Sequence, residues 1–236
     1  MVRIRLNAKC ISLAKRDSSV AVGVQCDEGP PELSGTHVLL AVGRTPNTSD
    51  LGLDRAGVAT DDRGYIVVDD QLQTNVPGIW ALGDCNGRGA FTHTSYNDYE
   101  IVAANLLTDD RRRLSDRIPT YALFIDPPLG RCGMTETEVR KARIPALVTQ
   151  YPMSKVSRAV EKGETQGLIK ILVHAETRQF LGAAILGTSG DEVIHVLLDA
   201  MYAKAPYTVI QRAMHIHPTV SEFLPTVLSK LQPMQV

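Results

Sequence analysis

The stretch His215-Ile216-His217-Pro218-Thr219-Val220-Ser221-Glu222 sets an imidazole, a proline and a carboxylate in fixed order. Pro218 pre-sets the backbone angle for a helix start. Thr219 can cap that helix, and Glu222 can reach back to it. His217 then lies just outside the helix, its ring able to project into a cleft while Glu222 holds one ring nitrogen. An imidazole oriented by a carboxylate is the usual way to build a general acid–base near neutral pH. Thr219-x-x-Glu222 reads equally as a plain capping box, with His217 a loop residue beside it. A third reading pairs His215 with His217 as metal ligands on one side of an extended segment. No third ligand is adjacent and metal sites usually show denser spacing, so no metal site is expected.

A second stretch, Thr74-Asn75-Val76-Pro77-Gly78-Ile79-Trp80-Ala81-Leu82-Gly83-Asp84, reads as a turn, a short buried strand, then Gly-Asp at its C-terminal end. Open α/β sheets bind ligands at the carboxyl ends of strands. Gly83 would permit close backbone approach there, and Asp84 can accept hydrogen bonds from sugar-like hydroxyls. A strand-ending turn explains the same residues. Val42-Gly43-Arg44-Thr45-Pro46-Asn47 closes an apolar strand, Val38 to Val42, with the same kind of glycine.

Taken in order, Val-Gly-Arg-x-Pro-Asn, Thr-x-x-Pro-Gly-Ile-x-Ala-x-Gly-Asp and His-Pro-Thr-x-x-Glu resemble the C-terminal half of the FAD-dependent pyridine nucleotide-disulfide oxidoreductases. That family includes dihydrolipoyl dehydrogenase, glutathione reductase and mercuric reductase. The resemblance covers nearly the whole chain. Phe124 to Glu136 resembles the start of the family's dimerisation domain. That segment and Phe91-Thr92-His93 are most similar to the mercuric-reductase-like branch and its reactive-chlorine-resistance relatives. The family's Gly-x-Gly-x-x-Gly turns and its Cys-x4-Cys pair are not in these residues, so the sequence reads as the C-terminal portion of a longer protein.

The resemblance implies a relay. NAD(P)H would reduce FAD, the flavin would reduce a cysteine pair, and the dithiol would reduce a disulfide or metal-ion substrate. His217 would handle the thiol protons across a homodimer, and Glu222 would orient and charge-stabilise its ring. Asp84 would hold the FAD ribityl chain, with Gly83 allowing close approach. Phe91, Thr92 and His93 would lie near the flavin ring, and Gly43 would line the nicotinamide side. The chain ends Gln232-Pro233-Met234-Gln235-Val236, without the vicinal cysteines of mercuric reductases, so mercuric-ion reduction by that route is not expected. A different class of reading makes the chain a non-catalytic dimerisation module.

Composition narrows the field. The 236 residues are 44% hydrophobic with a formal net charge of -1, which fits a globular core and argues against a nucleic-acid surface. Arg111-Arg112-Arg113 is flanked by Asp109, Asp110 and Asp116 and reads as a solvated loop. No apolar run approaches the ~18 residues needed to span a bilayer, and no membrane is expected. Four dispersed cysteines fit a reducing cytoplasm.

The expected fold is α+β: a C-terminal FAD/NAD-linked reductase dimerisation domain preceded by partial α/β FAD- and NAD(P)-binding domains. Residues 1-45 read as β and as the tail of the NAD(P)-binding domain. Residues 46-115 would complete the FAD-binding domain, with a helix from about Thr94 to Leu107 whose N-terminus faces the flavin. Residues 116-236 would form the dimerisation domain. There, Tyr121 to Ile125, Tyr151 to Val156, Gly167 to His174 and Phe180 to Leu186 read as strands. Thr135-x-x-Glu138 and Ser189-x-x-Glu192 announce helices, the second running through Lys204. Val193, Val196, Leu197, Ala200 and Met201 fall on one face of that helix and Ile194 and Leu198 on another, which points to a subunit interface.

Overall fold

The computed structural model describes residues 2–235, apart from the side chain of Cys10. It divides into two units, Met1–Leu107 and Thr108–Val236.

The first unit opens with an antiparallel meander of β1 (Lys9–Arg16), β2 (Ser19–Gln25) and β3 (Glu32–Gly35). Alternating valines mark β2 as a strand, and Arg16 pairs with Ser19 across a two-residue turn. The expected strand Val38 to Val42 does not form. Among the described residues nothing pairs with it, and Leu39 and Val42 are 90% and 81% exposed. An apolar run of this kind becomes a strand when neighbours cover both its faces and complete its ladder. The short buried strand expected before Gly83-Asp84 shrinks to one bridge, Gln73 to Trp80, with Ala81 buried behind it.

Helix α1 (Leu53–Ala56) and the hairpin-like turn at Asp61–Gly64 follow, the turn closed by Asp61 Oδ1 accepting from the Arg63 and Tyr65 amides. Val58, Ile66, Val68, Leu72, Ala81 and Ile101 are the buried apolar residues around the 3₁₀ turn Gly83–Asn86 and helix α2 (Thr92–Leu107). The helix begins two residues earlier than its sequence suggests, with Phe91 C=O accepting from the Thr94 and Ser95 amides.

The second unit is a six-stranded antiparallel sheet. Its strands are β4 (Thr120–Leu123), β5 (Leu129–Gly133), β6 (Ala146–Pro152), β7 (Leu168–His174), β8 (Phe180–Leu186) and β9 (Gln232–Pro233), in the order β4-β5-β8-β7-β6-β9. Helices α3 (Glu136–Lys141), α4 (Ser157–Lys162), α5 (Gly190–Tyr202), α6 (Thr208–Gln211) and α7 (Leu224–Leu228) complete it. Ile169, Ile171 and Val173 of β7 alternate into one core with Leu197, Leu224 and Val227. Gly130 has no side chain because the Gly190 carbonyl and Ile194 of α5 occupy the space a Cβ would need. The other sheet face packs Leu172 against Val139 of α3, Ala146 and Met234. No helix among the described residues is long and apolar enough to cross a membrane.

Two expectations about α5 are corrected. Ser189 adopts a left-handed backbone with φ 59 and its hydroxyl caps nothing; its backbone carbonyl takes the Glu192 amide instead. Both apolar faces are already satisfied inside the unit. Val193, Ile194, Leu197 and Leu198 are all buried, each burial stabilising by roughly 1.5–3 kcal/mol. The helix therefore gives no argument for an interface. The exposed apolar residues lie elsewhere, with Met214 99% and Ile216 80% exposed next to His217.

Thr135 and Glu138 form the expected capping box, each side chain bonding the other's backbone N–H at 3.0 and 2.6 Å. On the same helix, Glu136 lies between Lys170 and Arg140, whose hydrogen bonds hold its carboxyl below the usual carboxylate range. A depressed folded-state pKa contributes stability that is present above the unfolded value of about 4.3 and fades as pH falls through the lower folded value. Glu136→Gln should therefore lower Tm near neutral pH, and the gap between the two proteins should close as pH falls through that lowered value. A gap in Tm that stays constant over that range would show that the carboxylate's charge adds no stability.

Candidate functional site

In the second unit, the His217–Pro218 peptide is cis and the chain turns through Ser221–Phe223 as 3₁₀ helix before α7. The helix-starting proline is Pro225, in the first turn of α7, and not Pro218. Leu224, Val227 and Leu228 set that start by burying in the core.

Thr219 and Glu222 form half of a capping box. The Glu222 amide donates to Thr219 Oγ1 at 3.2 Å, and that hydroxyl donates to the Ile216 carbonyl. The Glu222 carboxylate makes no return bond to Thr219. It takes His217 Nδ1 with both oxygens, at 3.1 and 2.9 Å. A carboxylate only accepts, so Nδ1 carries the hydrogen and Nε2 faces outward. Glu222 is rooted, its side chain 16% exposed, whereas His217 is 73% exposed. The pair is a fixed carboxylate with a presented imidazole, the arrangement that can take up and return a proton at Nε2. His215 does not join it; its Nδ1 lies 3.2 Å from the Ala213 carbonyl.

The first unit holds a separate cavity of about 620 Å³ lined by Arg44, Tyr65, Asp84, Cys85, Gly89 and neighbouring loop atoms. Asp84 reaches it from the 3₁₀ turn. Gly83 is buried behind it with φ +79, where a Cβ would stand 3.0 Å from Ser95 Oγ. Left-handed backbone and a close helix both exclude a side chain there. Cys85 donates its thiol to the Leu82 carbonyl at 3.2 Å, and burial pushes that thiol up. Phe91 and His93 stack at 5.1 Å with rings 13° apart, at the exposed start of α2 beside Thr92. Gly43 is exposed with φ +119 and precedes Arg44, whose Nη1 donates to Asp84 Oδ2 at 3.1 Å. Of the expected cofactor-binding residues, only Asp84 lines the cavity; Gly83, Phe91, Thr92 and His93 flank its turn and helix, and Gly43 sits on the loop leading into it.

Sequence reasoning missed Asp98. This carboxylate is 2% exposed and accepts from the Gly83 amide and from Asn86 Nδ2, both at 2.8 Å. It ties the Asp84 turn to α2. In sequence it lies in the polar run Ser95-Tyr96-Asn97-Asp98-Tyr99-Glu100, where nothing separates a buried aspartate from an exposed one. Asp98→Ala should leave the buried Gly83 N–H without its acceptor and destabilise the first unit by about 1–3 kcal/mol. Chemical denaturation would read this; an unchanged midpoint would show that water replaces the carboxylate.

With the geometry defined, comparison with known proteins is informative. Residues 1–98 match the family model described as pyridine nucleotide-disulphide oxidoreductase, and residues 119–228 match that of its dimerisation domain. The chain is 35% identical over 230 residues to the probable pyridine nucleotide-disulfide oxidoreductase RclA of Escherichia coli strain K12, covering 97% of this chain and 51% of that protein. It is 32% identical over 219 residues to the dihydrolipoyl dehydrogenase of Chlamydia pneumoniae, covering 93% and 47%. Among solved structures, the HOCl-induced flavoprotein disulfide reductase RclA from Escherichia coli superposes with a TM-score of 0.83 at 34% identity, covering 92% of this chain and 49% of that one. A Cu(II) complex of the same reductase matches with the same score. The chain thus spans about half the length of the curated relatives it matches.

Proposed function

Because the chain belongs to the class I pyridine nucleotide-disulfide oxidoreductase family, we propose that it supplies the dimer interface and the acid–base pair of an FAD-dependent NAD(P)H oxidoreductase about twice its length. The observation that carries this reading is the diversion of Glu222 from its cap to His217 Nδ1, at 2.9 and 3.1 Å, inside the region matching the dimerisation domain. A residue retained only for capping has no need of that imidazole.

The cavity beside Asp84 fits a polyhydroxylated cofactor. Its half-exposed carboxylate is an acceptor for neutral hydroxyls, and Gly87 and Gly89, packed tightly against Tyr65 and Thr94, line the same cavity. Asp84 and Gly83 would hold FAD, flanked by Phe91, Thr92 and His93; Gly43 would lie on the nicotinamide side. FAD, when bound, accepts a hydride equivalent from NAD(P)H and passes the electron pair to a disulfide. His217 Nε2 takes the proton from the attacking thiol and returns it to the departing one. Glu222 keeps Nδ1 protonated and supports the charge that the ring acquires.

In this reading residues 1-45 are the tail of the NAD(P)-binding domain, 46-115 part of the FAD-binding domain and 116-236 the dimerisation domain. The protein is a cytoplasmic homodimer acting on a disulfide or metal-ion substrate. Alone, the 236 residues, with no neighbouring cysteine pair and only part of the FAD contacts, form a non-catalytic, colourless dimer. Full-length protein should copurify with FAD, be bleached by NAD(P)H and recover its colour with a disulfide. Full-length protein that neither binds FAD nor accepts electrons from NAD(P)H sinks the reading.

A further inference from the structure

Val-Gly-Arg-Thr-Pro-Asn and the Gly83-Asp84 turn are remote in sequence, yet both reach one cavity wall. Among the described residues, the hydrogen bond that joins them there is the Arg44–Asp84 ion pair, Nη1 to Oδ2 at 3.1 Å. We propose that Arg44 is the positioning residue that aims Asp84 at the cofactor, a function that rests on the FAD-binding reading above and extends it to a residue with no role so far.

Both partners are carried on independently fixed backbone. The Arg44 loop is pinned just downstream, where buried Thr48 donates to the Gly64 carbonyl at 2.7 Å. Pro46 packs at the same turn. The Asp84 turn is pinned from the other side by Asp98 and by Asn86, whose Nδ2 also donates to the Ala81 carbonyl at 3.0 Å. The backbones being set, the uncertainty left is the side chain of Asp84. Its carboxylate is 50% exposed, free to swing toward water unless something holds it.

Arg44 engages Oδ2, the one side-chain hydrogen bond to this carboxylate among the described residues, and leaves Oδ1 as an acceptor. A neutral sugar-like hydroxyl bonds best to a carboxylate already fixed in place, because ordering it at the moment of binding subtracts from affinity. A guanidinium suits this task. It cannot lose its charge, and its planar fork restricts the carboxylate more than a point-like ammonium does. Arg44 is 73% exposed, so the pair contributes little to folding and its effect should appear in binding.

Arg44 could instead meet a cofactor phosphate directly, and a double-mutant cycle separates the two roles. FAD would be titrated into apoprotein of the full-length enzyme by flavin fluorescence quenching, using wild type, Arg44→Ala, Arg44→Lys, Asp84→Ala and the Arg44→Ala/Asp84→Ala pair. Positioning predicts that Arg44→Ala weakens FAD binding on the order of 3- to 10-fold. Arg44→Lys should recover part of that loss. The double variant should bind no more weakly than Asp84→Ala, since Arg44 has nothing left to aim. Apoprotein melting temperatures should agree among all five. An Arg44→Ala dissociation constant equal to wild type overturns the inference. So does a double variant in which the two losses multiply, the signature of a direct contact. Wild-type apoprotein that fails to take up FAD at all would instead sink the functional reading beneath it.

Discussion

His217→Gln in the full-length flavoprotein should spare flavin reduction by NAD(P)H and slow the dithiol-to-disulfide half-reaction by roughly 10²–10⁴-fold, the usual contribution of a positioned acid–base. Hydride transfer to a flavin needs no proton from this ring, whereas thiol–disulfide exchange requires the attacking sulfur to be a thiolate and the departing one to be reprotonated. Glutamine keeps a polar group of similar reach, so the chain should fold as before; His217 is exposed and its removal opens no cavity. Glu222→Gln should cost less than the histidine change. Its amide oxygen can still accept from Nδ1, but the charge that supports the imidazolium is gone. Stopped-flow absorbance separates the halves. If His217→Gln slows reduction by NAD(P)H and spares reoxidation by a disulfide, the role assigned to the ring is wrong. If neither phase changes, the His217–Glu222 pair is only a structural contact and His217 a bystander to the chemistry.

The two Ser/Thr-x-x-Glu boxes of the second unit show how far such a motif can be read. Thr135-x-x-Glu138 closes reciprocally, as its spacing dictates. Thr219-x-x-Glu222 has the same spacing, yet Glu222 turns to His217. The local pattern is identical; what differs is a histidine two residues upstream of the threonine. Placing that ring within reach depends on α7 being drawn into the core at Leu224, which is a tertiary effect. The pairing was therefore legible as residue types, but the helix start was displaced to Pro225.

Strands β7 and β8 were legible nearly to the residue because both are long, rich in β-branched and aliphatic side chains, and bounded by the Glu176-Thr177-Arg178 turn. Strand β5 carries two glycines in Leu129–Gly133 and has no strand-like composition. It exists because the Gly190 end of α5 lies directly on Gly130, a long-range fact. Val38 to Val42 failed in the opposite direction: its composition is strand-like, but a strand is defined by its neighbours. The doubly apolar α5 likewise showed burial correctly and its partner wrongly, since periodicity reports how much surface is hidden and not by what.

Asp84→Ala should weaken FAD retention in the full-length protein by far more than it alters the chemistry of bound flavin. Asp84 lines the cavity with a carboxylate held by Arg44, so one or two hydroxyl hydrogen bonds to it are charge-assisted, each worth on the order of 1.5–3 kcal/mol. Losing one such bond raises the dissociation constant by roughly 10- to 150-fold, taking 1.4 kcal/mol per decade. The substitution should leave the turn itself intact, because the anchors of that turn are the Gly83 amide and Asn86 side chain on Asp98, none of which involves the Asp84 carboxylate. Folding and affinity should therefore separate: a near-normal melting temperature of the apoprotein with a large loss of bound flavin after gel filtration. His217 lies in the other unit and takes no part in holding the cofactor in this scheme. Enzyme reloaded with saturating FAD should then recover its disulfide half-reaction. An unchanged FAD dissociation constant would reduce Asp84 to a turn residue, and a variant that is saturated with FAD yet still slow would give the carboxylate a part in the chemistry.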